Sequence, residues 1–462
     1  MNMTEKIKIA YIGGGSRGWA WGLMSDLAVC DDISGEVCLY DIDFEAAKHN
    51  EIIGNKYNEL RESKSKWKYV ATKEIGQALK GADFVIISIL PGTFDEMESD
   101  VHAPEKYGIY QSVGDTTGPG GIIRAMRTIP MYEEFARKIE EFCPDAWVIN
   151  YTNPMTLCVK TLYRVFPKIK AFGCCHEVFG TQKFLIKVLE KGLGIEGIQR
   201  KDIKVNPVGV NHFTWLTEAY YKNIDIFPYY ASFCEKYKDG FGEDGSPVDD
   251  NWMNSSFKSE EKVKMDLFRR YGYIAAAGDR HLAEFCEGKW YLESPQRVRE
   301  MHFGLTSVAW RKNELVERLE KSERLATGQE NVTIKETGEE GVNQIRAILG
   351  LCDLVTNVNI PNIGQIPDLP LGAVVETNAV FRSSTVTPLF AGKIPTSIFP
   401  MISRICGEQE AVSEGIEKRD LNKILNAFIN DPLITCSLDK AEKLFYEMCE
   451  NTKKYLTMYN LR

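Results

Sequence analysis

A cysteine and a histidine near the middle of the chain are the first residues whose types suggest chemistry. Cys175 lies in the segment Gly173–Val178, which reads GCCHEV, and His212 lies in Val210–Phe213, which reads VNHF. A thiolate and an imidazole bind transition metals, and two protein ligands leave coordination positions for water or substrate oxygens. The pair therefore predicts a catalytic metal site. The alternative interpretation is a buried thiol and a hydrogen-bonded core histidine.

Two further polar segments are predicted to lie at strand ends. Gly114–Gly121 reads GDTTGPGG, and Tyr151–Pro154 reads YTNP. We expect Asp115 to bind substrate or to orient the metal ligands through hydrogen bonds. We expect Asn153 to hydrogen-bond hydroxyl groups of a ligand from the end of its strand. Asn153 can also cap a helix that has Pro154 in its first turn, and the two roles are compatible.

A glycine-rich turn near the amino end has the spacing of a dinucleotide site. Gly13, Gly15 and Gly18 directly follow the apolar run Ile7–Ile12 and precede a helix that could begin near Ser16. Glycine lets the backbone approach a pyrophosphate, whose charge is stabilised by a helix N-terminus. A carboxylate at the end of the second strand accepts hydrogen bonds from both ribose hydroxyls and repels a 2′-phosphate, which favours NAD over NADP. The predicted cofactor-binding residues are Gly13, Gly14, Gly15, Ser16, Asp41 and Asn153.

The order of apolar and amphipathic stretches predicts the elements that hold these segments. In the first two hundred residues short apolar runs alternate with longer amphipathic stretches, as in a parallel sheet covered by helices. We predict strands at 7–12, 36–41, 67–71, 83–89, 145–151 and 169–174. Ligands of such sheets bind beyond the carboxyl ends of the strands, so the turns that follow them should meet. The predicted fold class is α/β, with an N-terminal Rossmann-like, doubly wound parallel sheet.

From about residue 200 the pattern changes to one of paired strands followed by longer helical and polar segments. The predicted elements are strands at 204–210 and 215–220, an exposed loop at 238–250, and mainly helical stretches at 340–353 and 405–460. This mixture predicts an α+β domain. The chain is therefore expected to comprise an NAD-binding domain, 1–200, and an α+β catalytic, substrate-binding and oligomerisation domain, 201–462.

The composition excludes several classes of protein. The chain has 462 residues, of which 44% are hydrophobic and 26% charged, and its formal net charge is −9. Because this charge repels polyphosphate backbones and no basic stripe offsets it, we expect no nucleic-acid partner. No apolar run is long enough to cross a bilayer, and the amino end leaves no room for a signal peptide. We expect a cytoplasmic protein whose 12 cysteines are mostly reduced.

Taken together, these segments resemble the NAD- and metal-dependent family 4 glycoside hydrolases along essentially the whole chain. The matching features are the turn at 13–18, GDTTGPGG at 114–121, TNP at 152–154, CHEV at 175–178, NHF at 211–213 and GDRH at 278–281. In that family the tetrapeptide that begins at the metal-binding cysteine differs between substrate groups, and CHEV resembles the version in α-galacturonases. Members that act on 6-phosphoglycosides carry Asp or Asn after that cysteine, where this chain has His176.

The resemblance implies an α-galacturonidase that does not use the usual pair of catalytic carboxylates. Its implied cycle is oxidation at carbon 3 of the sugar, metal-assisted removal of the carbon 2 proton, elimination at carbon 1, addition of water and re-reduction. NAD and Mn²⁺, or another divalent metal, are the implied cofactors, with Cys175 and His212 as metal ligands. One tetrapeptide does not fix the substrate, so α-glucuronidase, α-galactosidase and α-glucosidase remain alternatives.

The resemblance also implies roles for four residues around the reacting carbons. Asp279, in GDRH, occupies a position similar to that of the aspartate base in one subgroup. Other subgroups use a tyrosine, which makes Tyr273 and Tyr271 the alternatives for the base. His176 is predicted to protonate the departing oxygen, as the residue at its position is thought to do in relatives.

A uronate substrate carries a carboxylate, which is best bound by an arginine fork or a cationic histidine. Arg280 and His281 are the predicted residues for this role. Relatives commonly form dimers or tetramers, so we expect a homodimer or homotetramer. An alternative from another reaction class is a lactate- or malate-type NAD dehydrogenase, which needs no Cys–His metal pair. A second alternative is a protein that binds a nucleotide but catalyses no reaction. It would leave most of the polar segments described above without a function.

Overall fold

The computed structural model describes residues 5–242, 259–305 and 307–461. The strands are β1 (Glu5–Ile12), β2 (Ile33–Tyr40), β3 (Trp67–Thr72), β4 (Phe84–Ile87), β5 (Trp147–Asn150), β6 (Lys170–Gly173), β7 (Ile203–Val210), β8 (Phe213–Tyr221), β9 (Ile224–Asp225), β10 (Ile274–Ala275), β11 (Leu354–Pro361), β12 (Val374–Arg382) and β13 (Thr385–Pro388). The helices of the N-terminal half are α1 (Trp19–Val29), α2 (Phe44–Lys56), α3 (Ile75–Leu79), α4 (Phe94–His102), α5 (Gly118–Phe142), α6 (Met155–Val165) and α7 (Glu177–Leu193). Those of the C-terminal half are α8 (Phe227–Lys236), α9 (Lys262–Tyr271), α10 (Asp279–Phe285), α11 (Gly288–Tyr291), α12 (Pro295–Glu300), α13 (Val308–Thr327), α14 (Gly341–Ile348), α15 (Phe399–Lys418), α16 (Leu421–Asn430) and α17 (Leu438–Asn451).

The six N-terminal strands form a parallel sheet in the order β3-β2-β1-β4-β5-β6. Each predicted strand is present. The sequence favours this arrangement because a parallel strand covered on both faces is apolar throughout, and all four residues of β4 are buried. The predicted α/β class with a Rossmann-like parallel sheet is confirmed.

Strands from the C-terminal half extend this same sheet. β11 pairs with β6 through Asn359 and Gly173, and β12 and β13 follow in antiparallel order. The described residues thus form one sheet of nine strands, and β11 covers what would otherwise be an open edge at β6. The division at residue 200 stays a prediction, although the sheet itself draws on both sides of that boundary.

A second, antiparallel sheet carries the hairpin predicted from the paired apolar runs. β7 and β8 pair along their whole length, with β10 and β9 both pairing with β8. The predicted helical stretches contain α14 and α15–α17. Of the loop predicted at 238–250, the part from 243 onward lies outside the described residues. Among the residues that are described, no helix is long and apolar enough to cross a membrane.

Candidate active site

Three segments identified separately in the sequence are joined by one chain of hydrogen bonds. His212 Nδ1 lies 2.9 Å from Thr116 Oγ1, and the Thr116 hydroxyl donates to Asp115 Oδ1 at 2.7 Å. On its other oxygen, Asp115 accepts a hydrogen bond of 3.3 Å from Asn153 Nδ2. Asn153 follows β5 and His212 lies between β7 and β8, so the hairpin meets a carboxyl end of the parallel sheet. The expected position of Asp115 and Thr116 at a strand end is wrong, because they follow α4 and a short 3-10 helix and lie directly before α5.

The hydrogen bonds fix which nitrogen of His212 is available to a metal. The single hydroxyl hydrogen of Thr116 is directed to Asp115, so Thr116 accepts from His212 and the proton lies on Nδ1. Burial and the neighbouring His281 lower the pKa of His212 to about 3, which keeps the ring neutral. The lone pair of Nε2 is then left for a cation, in the arrangement typical of metal-binding histidines.

The backbone at His212 is strained in a way that suits a functional position. His212 lies in the two-residue turn between β7 and β8 and has a φ of 63°, in the left-handed region that favours glycine. The surrounding structure holds it there, because the ring is buried and bonded to Thr116. Such strain is often found at active sites and ligand-binding turns.

Cys175 is buried directly after β6, and its surroundings disfavour a bare thiolate. Burial, together with the charges of Glu376 and Glu177, raises the pKa of the thiol well above its ordinary value. A divalent cation would reverse that preference, because metal coordination deprotonates a thiol. Among the described residues, no group of three or more His, Cys, Asp or Glu side chains is arranged to hold a metal. A cation at Cys175 and His212 would therefore have to take its other ligands from water or substrate.

Glu376, in β12, connects the segments that carry the two predicted metal ligands. Its buried carboxylate accepts hydrogen bonds from Thr214 Oγ1 at 2.6 Å and from Asn357 Nδ2 at 2.8 Å. Thr214 lies two residues after His212, while Asn357 Nδ2 also contacts the carbonyl oxygen of Cys175 at 3.2 Å. Sequence analysis missed Glu376, because a lone glutamate inside a β-strand carries no motif.

His281 and Glu177 complete the inner face of the site. The ring centroid of His281 lies 3.9 Å from that of His212, and Glu177 Oε1 lies 3.7 Å from His281 Nε2. The other oxygen of Glu177 accepts a 2.7 Å hydrogen bond from the Gly278 amide. Glu177, to which the sequence assigned no role, thus ties the CHEV segment to the GDRH segment. His176 lies at the solvent side, half exposed, with Nε2 3.7 Å from Glu177 Oε1.

Asp279 is buried, and its carboxylate binds the first turn of α9. Oδ2 accepts from the Val263 amide at 3.1 Å and Oδ1 from the Lys264 amide at 2.9 Å. Burial and the charge of Glu261 raise the pKa of Asp279 to about 7. Within the described part of the chain, neither of these hydrogen bonds reaches the group around His212. Asp279 therefore stabilises a helix N-terminus whatever else it does.

The remaining predicted residues are fixed by other contacts. Arg280 donates through Nε to the carbonyl oxygen of Gly304 at 3.1 Å and through Nη2 to that of Ser112 at 2.7 Å. Tyr273 and Tyr271 are both partly buried and pack against the same hydrophobic core. The structure thus brings Arg280 close to the GDTTGPGG segment, whereas the tyrosines pack beside the second sheet.

Several buried polar atoms around Asp115 and Asn153 have no hydrogen-bond partner among the described residues. They are Arg124 Nη1, Asn153 Oδ1 and His281 Nδ1. Arg124 also donates to the Asn153 carbonyl oxygen at 3.2 Å. Burial raises the pKa of Asp115, but the charges of Arg124 and the neighbouring histidines, with the hydrogen bond from Thr116, together lower it to about 2. Buried polar groups are nearly always paired in folded proteins, so a hydroxyl-rich ligand fits this position. Sequence analysis missed Arg124, because a single arginine inside the long helix α5 belongs to no motif.

The glycine-rich turn has the geometry of a dinucleotide site. Gly13 has a φ of 92°, and a Cβ there would lie 2.0 Å from the carbonyl oxygen of Ser88. The Gly15 amide donates to Asp41 Oδ2 at 2.8 Å. This hydrogen bond places Asp41, the residue predicted to bind ribose, beside the turn. Helix α1 begins at Trp19, later than predicted, and no side chain caps it, so its first amides can bind an anion.

Ile42, which follows Asp41, was missed by sequence analysis. Its side chain is 96% exposed. An apolar side chain at the end of the second strand, next to the carboxylate predicted to bind ribose, is suited to contact an adenine ring.

The chain matches two models of one family over most of its length. The model for family 4 glycosyl hydrolases matches residues 8–191, and the model for the C-terminal domain of that family matches residues 207–434. An α-galacturonidase of Thermoanaerobacterium saccharolyticum is 61% identical over 99% of this chain and 98% of the relative. The crystal structure of lplD from Bacillus subtilis superposes with a TM-score of 0.89 at 50% identity, covering 96% of this chain and 99% of that chain.

A more distant structure shares the fold. The 6-phospho-β-glucosidase of Thermotoga maritima, solved with manganese, NAD⁺ and glucose-6-phosphate, superposes with a TM-score of 0.76 at 22% identity. The match covers 97% of this chain and 99% of that chain. The nine-stranded arrangement of the described residues is therefore built on a fold that extends over both halves of the chain.

Proposed function

Because the chain belongs to family 4 of the glycosyl hydrolases, we propose that it hydrolyses α-galacturonides with the help of NAD and a divalent metal such as Mn²⁺. One observation carries the proposal. The hydrogen-bonded series from Asp115 through Thr116 to His212 leaves Nε2 of the imidazole available, and Glu376 connects this segment to that of Cys175. Buried polar atoms around Asp115 and Asn153 have no partner among the described residues. The 61% identical relative named as an α-galacturonidase supports this choice of substrate.

The cofactors would occupy two adjoining places at the carboxyl ends of the parallel strands. Gly13, Gly14, Gly15, Ser16 and Asp41 would hold NAD, with Asn153 at the boundary between cofactor and sugar. Cys175 and His212 would hold the metal. When bound, NAD supplies a reversible hydride acceptor and the metal a Lewis acid for oxygens of the sugar. Asp115 acts through Thr116 to keep the imidazole of His212 oriented.

We propose that His176 protonates the departing oxygen. Its side chain is half exposed, and a leaving group must reach solvent. Asp279 stays the proposed base for the carbon 2 proton, since a pKa of about 7 suits proton exchange near neutral pH. Both oxygens of Asp279 already accept a hydrogen bond from α9. To act as the base, one of these oxygens must use its second lone pair to accept the carbon 2 proton. Tyr273 is the alternative.

For the carboxylate of a uronate, Arg280 and His281 stay the proposed residues. The two carbonyl contacts of Arg280 orient its guanidinium plane, which favours geometric recognition of a carboxylate. Arg124, which is buried and whose Nη1 has no partner among the described residues, adds a second guanidinium close to Asn153. Burial lowers the pKa of His281, so its ring would contribute as a neutral hydrogen-bonding group. The two guanidinium groups favour a uronate over a neutral galactoside or glucoside.

A substrate panel tests the proposal. The reduced protein is incubated with NAD and Mn²⁺ and with an α-galacturonide, an α-glucuronide, an α-galactoside or an α-glucoside of the same leaving group. We expect the α-galacturonide to be hydrolysed fastest and the activity to be lost with a chelator and restored by Mn²⁺. Faster hydrolysis of a neutral glycoside would overturn the substrate assignment. Accumulation of NADH in proportion to product would instead indicate a dehydrogenase.

We further propose that the enzyme works in the cytoplasm as a homodimer or homotetramer. All 12 cysteines are unpaired, and Cys175 has to stay reduced to bind a metal, which suits a reducing compartment. Phe390, Leu371 and Ile363 are 73%, 78% and 74% exposed, respectively, near β11–β13, and apolar side chains of this kind suit contact with a second copy. Light scattering after size-exclusion chromatography of wild type and Phe390→Asp would measure the oligomeric state.

A further inference from the structure

Helix α13 extends from α4 to α2. Near its amino end, the Val308 amide donates to His102 Nε2 at 3.3 Å, and Lys312 Nζ lies 2.7 Å from Asp95 Oδ1. In its last turn, two carbonyl oxygens accept from Lys56 Nζ in α2 at 2.5 and 2.9 Å. α4 follows β4 and α2 follows β2, and these two strands flank β1. The helix therefore crosses the region where the glycine-rich turn lies.

The middle of α13 is not packed into a core. The buried residues of the helix are Val308, Ser322 and Leu325, and every residue from 309 to 321 is partly or fully exposed. The helix is thus held at both ends and accessible to solvent in between. This differs from α5, of which most residues in the first half are buried.

Arg318 lies on the part of α13 that meets the glycine-rich turn. Its Nη1 donates to the carbonyl oxygen of Arg17 at 3.1 Å, and a Cβ on Gly18 would lie 2.5 Å from the same atom. Glu314, one turn earlier, accepts from Arg318 Nη2 at 2.7 Å and steadies the guanidinium. Arg318 is thus a cation held next to the uncapped start of α1.

A second arginine shares this face of the helix, two turns earlier. Arg311 and Arg318 are seven residues apart, which places them on one face about 10 Å apart along the axis. Burial lowers the pKa of Arg311, and the charge of Asp115 opposes that effect. One face of α13 therefore extends from the neighbourhood of Asp115 to the glycine-rich turn, the two places assigned above to sugar and cofactor.

We propose that Arg318 binds the diphosphate of NAD and that α13 thereby closes the cofactor crevice. The inference rests on the proposed function, which supplies the dinucleotide. A guanidinium binds phosphate oxygens through charged, paired hydrogen bonds, and the amides at the start of α1 favour the same anion. The proposed reaction returns NAD unchanged at the end of each cycle, so a closed crevice retains the cofactor without slowing turnover.

The test compares two arginines of the same helix in the full-length protein. Arg318 and Arg324 are 44% and 43% exposed, and each pairs with a glutamate, but Arg324 pairs with Glu330 and makes no contact with the turn among the described residues. NAD affinity is measured by calorimetry and NAD release by rapid displacement. We expect Arg318→Ala to raise the Kd for NAD about tenfold or more and to speed release, while Arg324→Ala matches wild type.

Two further measurements separate binding from a general structural effect. Arg318→Lys, which keeps the charge but loses the fork, should recover part of the affinity. Added salt should weaken NAD binding more in wild type than in Arg318→Ala. If wild type binds NAD and Arg318→Ala binds and releases it as Arg324→Ala does, the role of Arg318 is overturned and the proposed function stands. If wild type binds no NAD, both are overturned.

Discussion

The glycine-rich turn and the group around His212 are both proposed as ligand sites, but they are assembled in opposite ways. In the turn, Gly13 and Gly14 donate to the carbonyl oxygen of Tyr40, and Gly15 donates to Asp41, so the site lies within two consecutive strands and their turns. In the other site, Asp115 and His212 are almost a hundred residues apart and meet only because the sheet and the hairpin are folded. The first site is a local motif, and the second depends on tertiary structure.

The two sites also differ in whether their polar atoms have hydrogen-bond partners when no ligand is bound. The carboxylate of Asp41 accepts two backbone amides, at 2.8 and 2.9 Å, whereas Arg124, Asn153 and His281 each keep a buried polar atom without a partner among the described residues. Unpaired buried groups cost stability, and they persist where a ligand pairs them. The sugar site is therefore the part of the molecule that should respond most strongly to substitution.

The largest expected effect concerns Asp279. The sequence predicts that it is catalytic, whereas in the structure its carboxylate accepts hydrogen bonds from α9. If Asp279 is the base, Asp279→Asn lowers kcat by about 10² to 10⁴-fold. The asparagine carbonyl still accepts one α9 amide, so the melting temperature should change little. Steady-state kinetics and thermal melts of this variant and of Tyr273→Phe give the comparison. A lower melting temperature with an unchanged kcat would assign Asp279 to the helix alone, and a loss of kcat in Tyr273→Phe would make the tyrosine the base.

A somewhat smaller effect is expected from breaking the bonds that orient His212. Thr116→Val keeps the size of the side chain but removes the hydroxyl between Asp115 and His212, which should weaken Mn²⁺ binding about 10 to 100-fold. Thr116→Ser restores a hydroxyl and serves as the matched control. Metal titration followed by electron paramagnetic resonance measures the affinity directly. Equal Mn²⁺ affinity in all three proteins would show that Thr116 does not orient the ligand.

These two predictions also show how far sequence reasoning extends. The turn at 13–18 and Asp41 were predicted together because strand, turn and helix are adjacent in the chain. Asp115, His212 and His281 were predicted one by one, from motifs, and their contacts confirm that they meet. Glu376 and Arg124 were missed, because a buried charge inside a strand or helix is recognised only when its partners are known. The addition of β11–β13 to the parallel sheet was missed for the same reason, since pairing across the sheet leaves no local signal.

On the cofactor side of the comparison, Asp41 should control the choice between NAD and NADP. Asp41→Ala removes the acceptor for the ribose hydroxyls and the charge that repels a 2′-phosphate. We expect the Kd for NAD to rise about tenfold and the preference over NADP to shrink by a similar factor. Calorimetric titration of wild type and variant with both dinucleotides measures the ratio. An unchanged ratio would place the ribose away from Asp41.

The smallest expected effect concerns Glu284, which supports the segment before Asp115. Its Oε1 accepts from the Val113 and Gly114 amides at 2.8 and 2.9 Å, and burial raises its pKa from 4.5 to about 8. The folded protein therefore holds a proton that the unfolded chain loses, so this group makes stability fall as the pH rises between those values. Glu284→Gln mimics the protonated form. The variant should exceed wild type by at least about 1 kcal/mol in the free energy of unfolding at pH 8.

Denaturant unfolding across this pH range measures the effect of Glu284→Gln. The advantage of the variant should shrink as the pH is lowered from 8 to 5, because Glu284 is then protonated in the folded state of wild type. A variant that is less stable than wild type at pH 8 would show that the ionised carboxylate is the form that stabilises the segment.

The most direct test of the central claim follows the hydrogen at carbon 2 of the sugar. The protein is supplied with NAD, Mn²⁺ and an α-galacturonide in D₂O, and the released galacturonate is analysed by NMR and mass spectrometry. Hydrolysis by oxidation and elimination predicts deuterium at carbon 2 of the product, because the proton there is removed and replaced from solvent. Complete hydrolysis with no deuterium at carbon 2 would contradict the account.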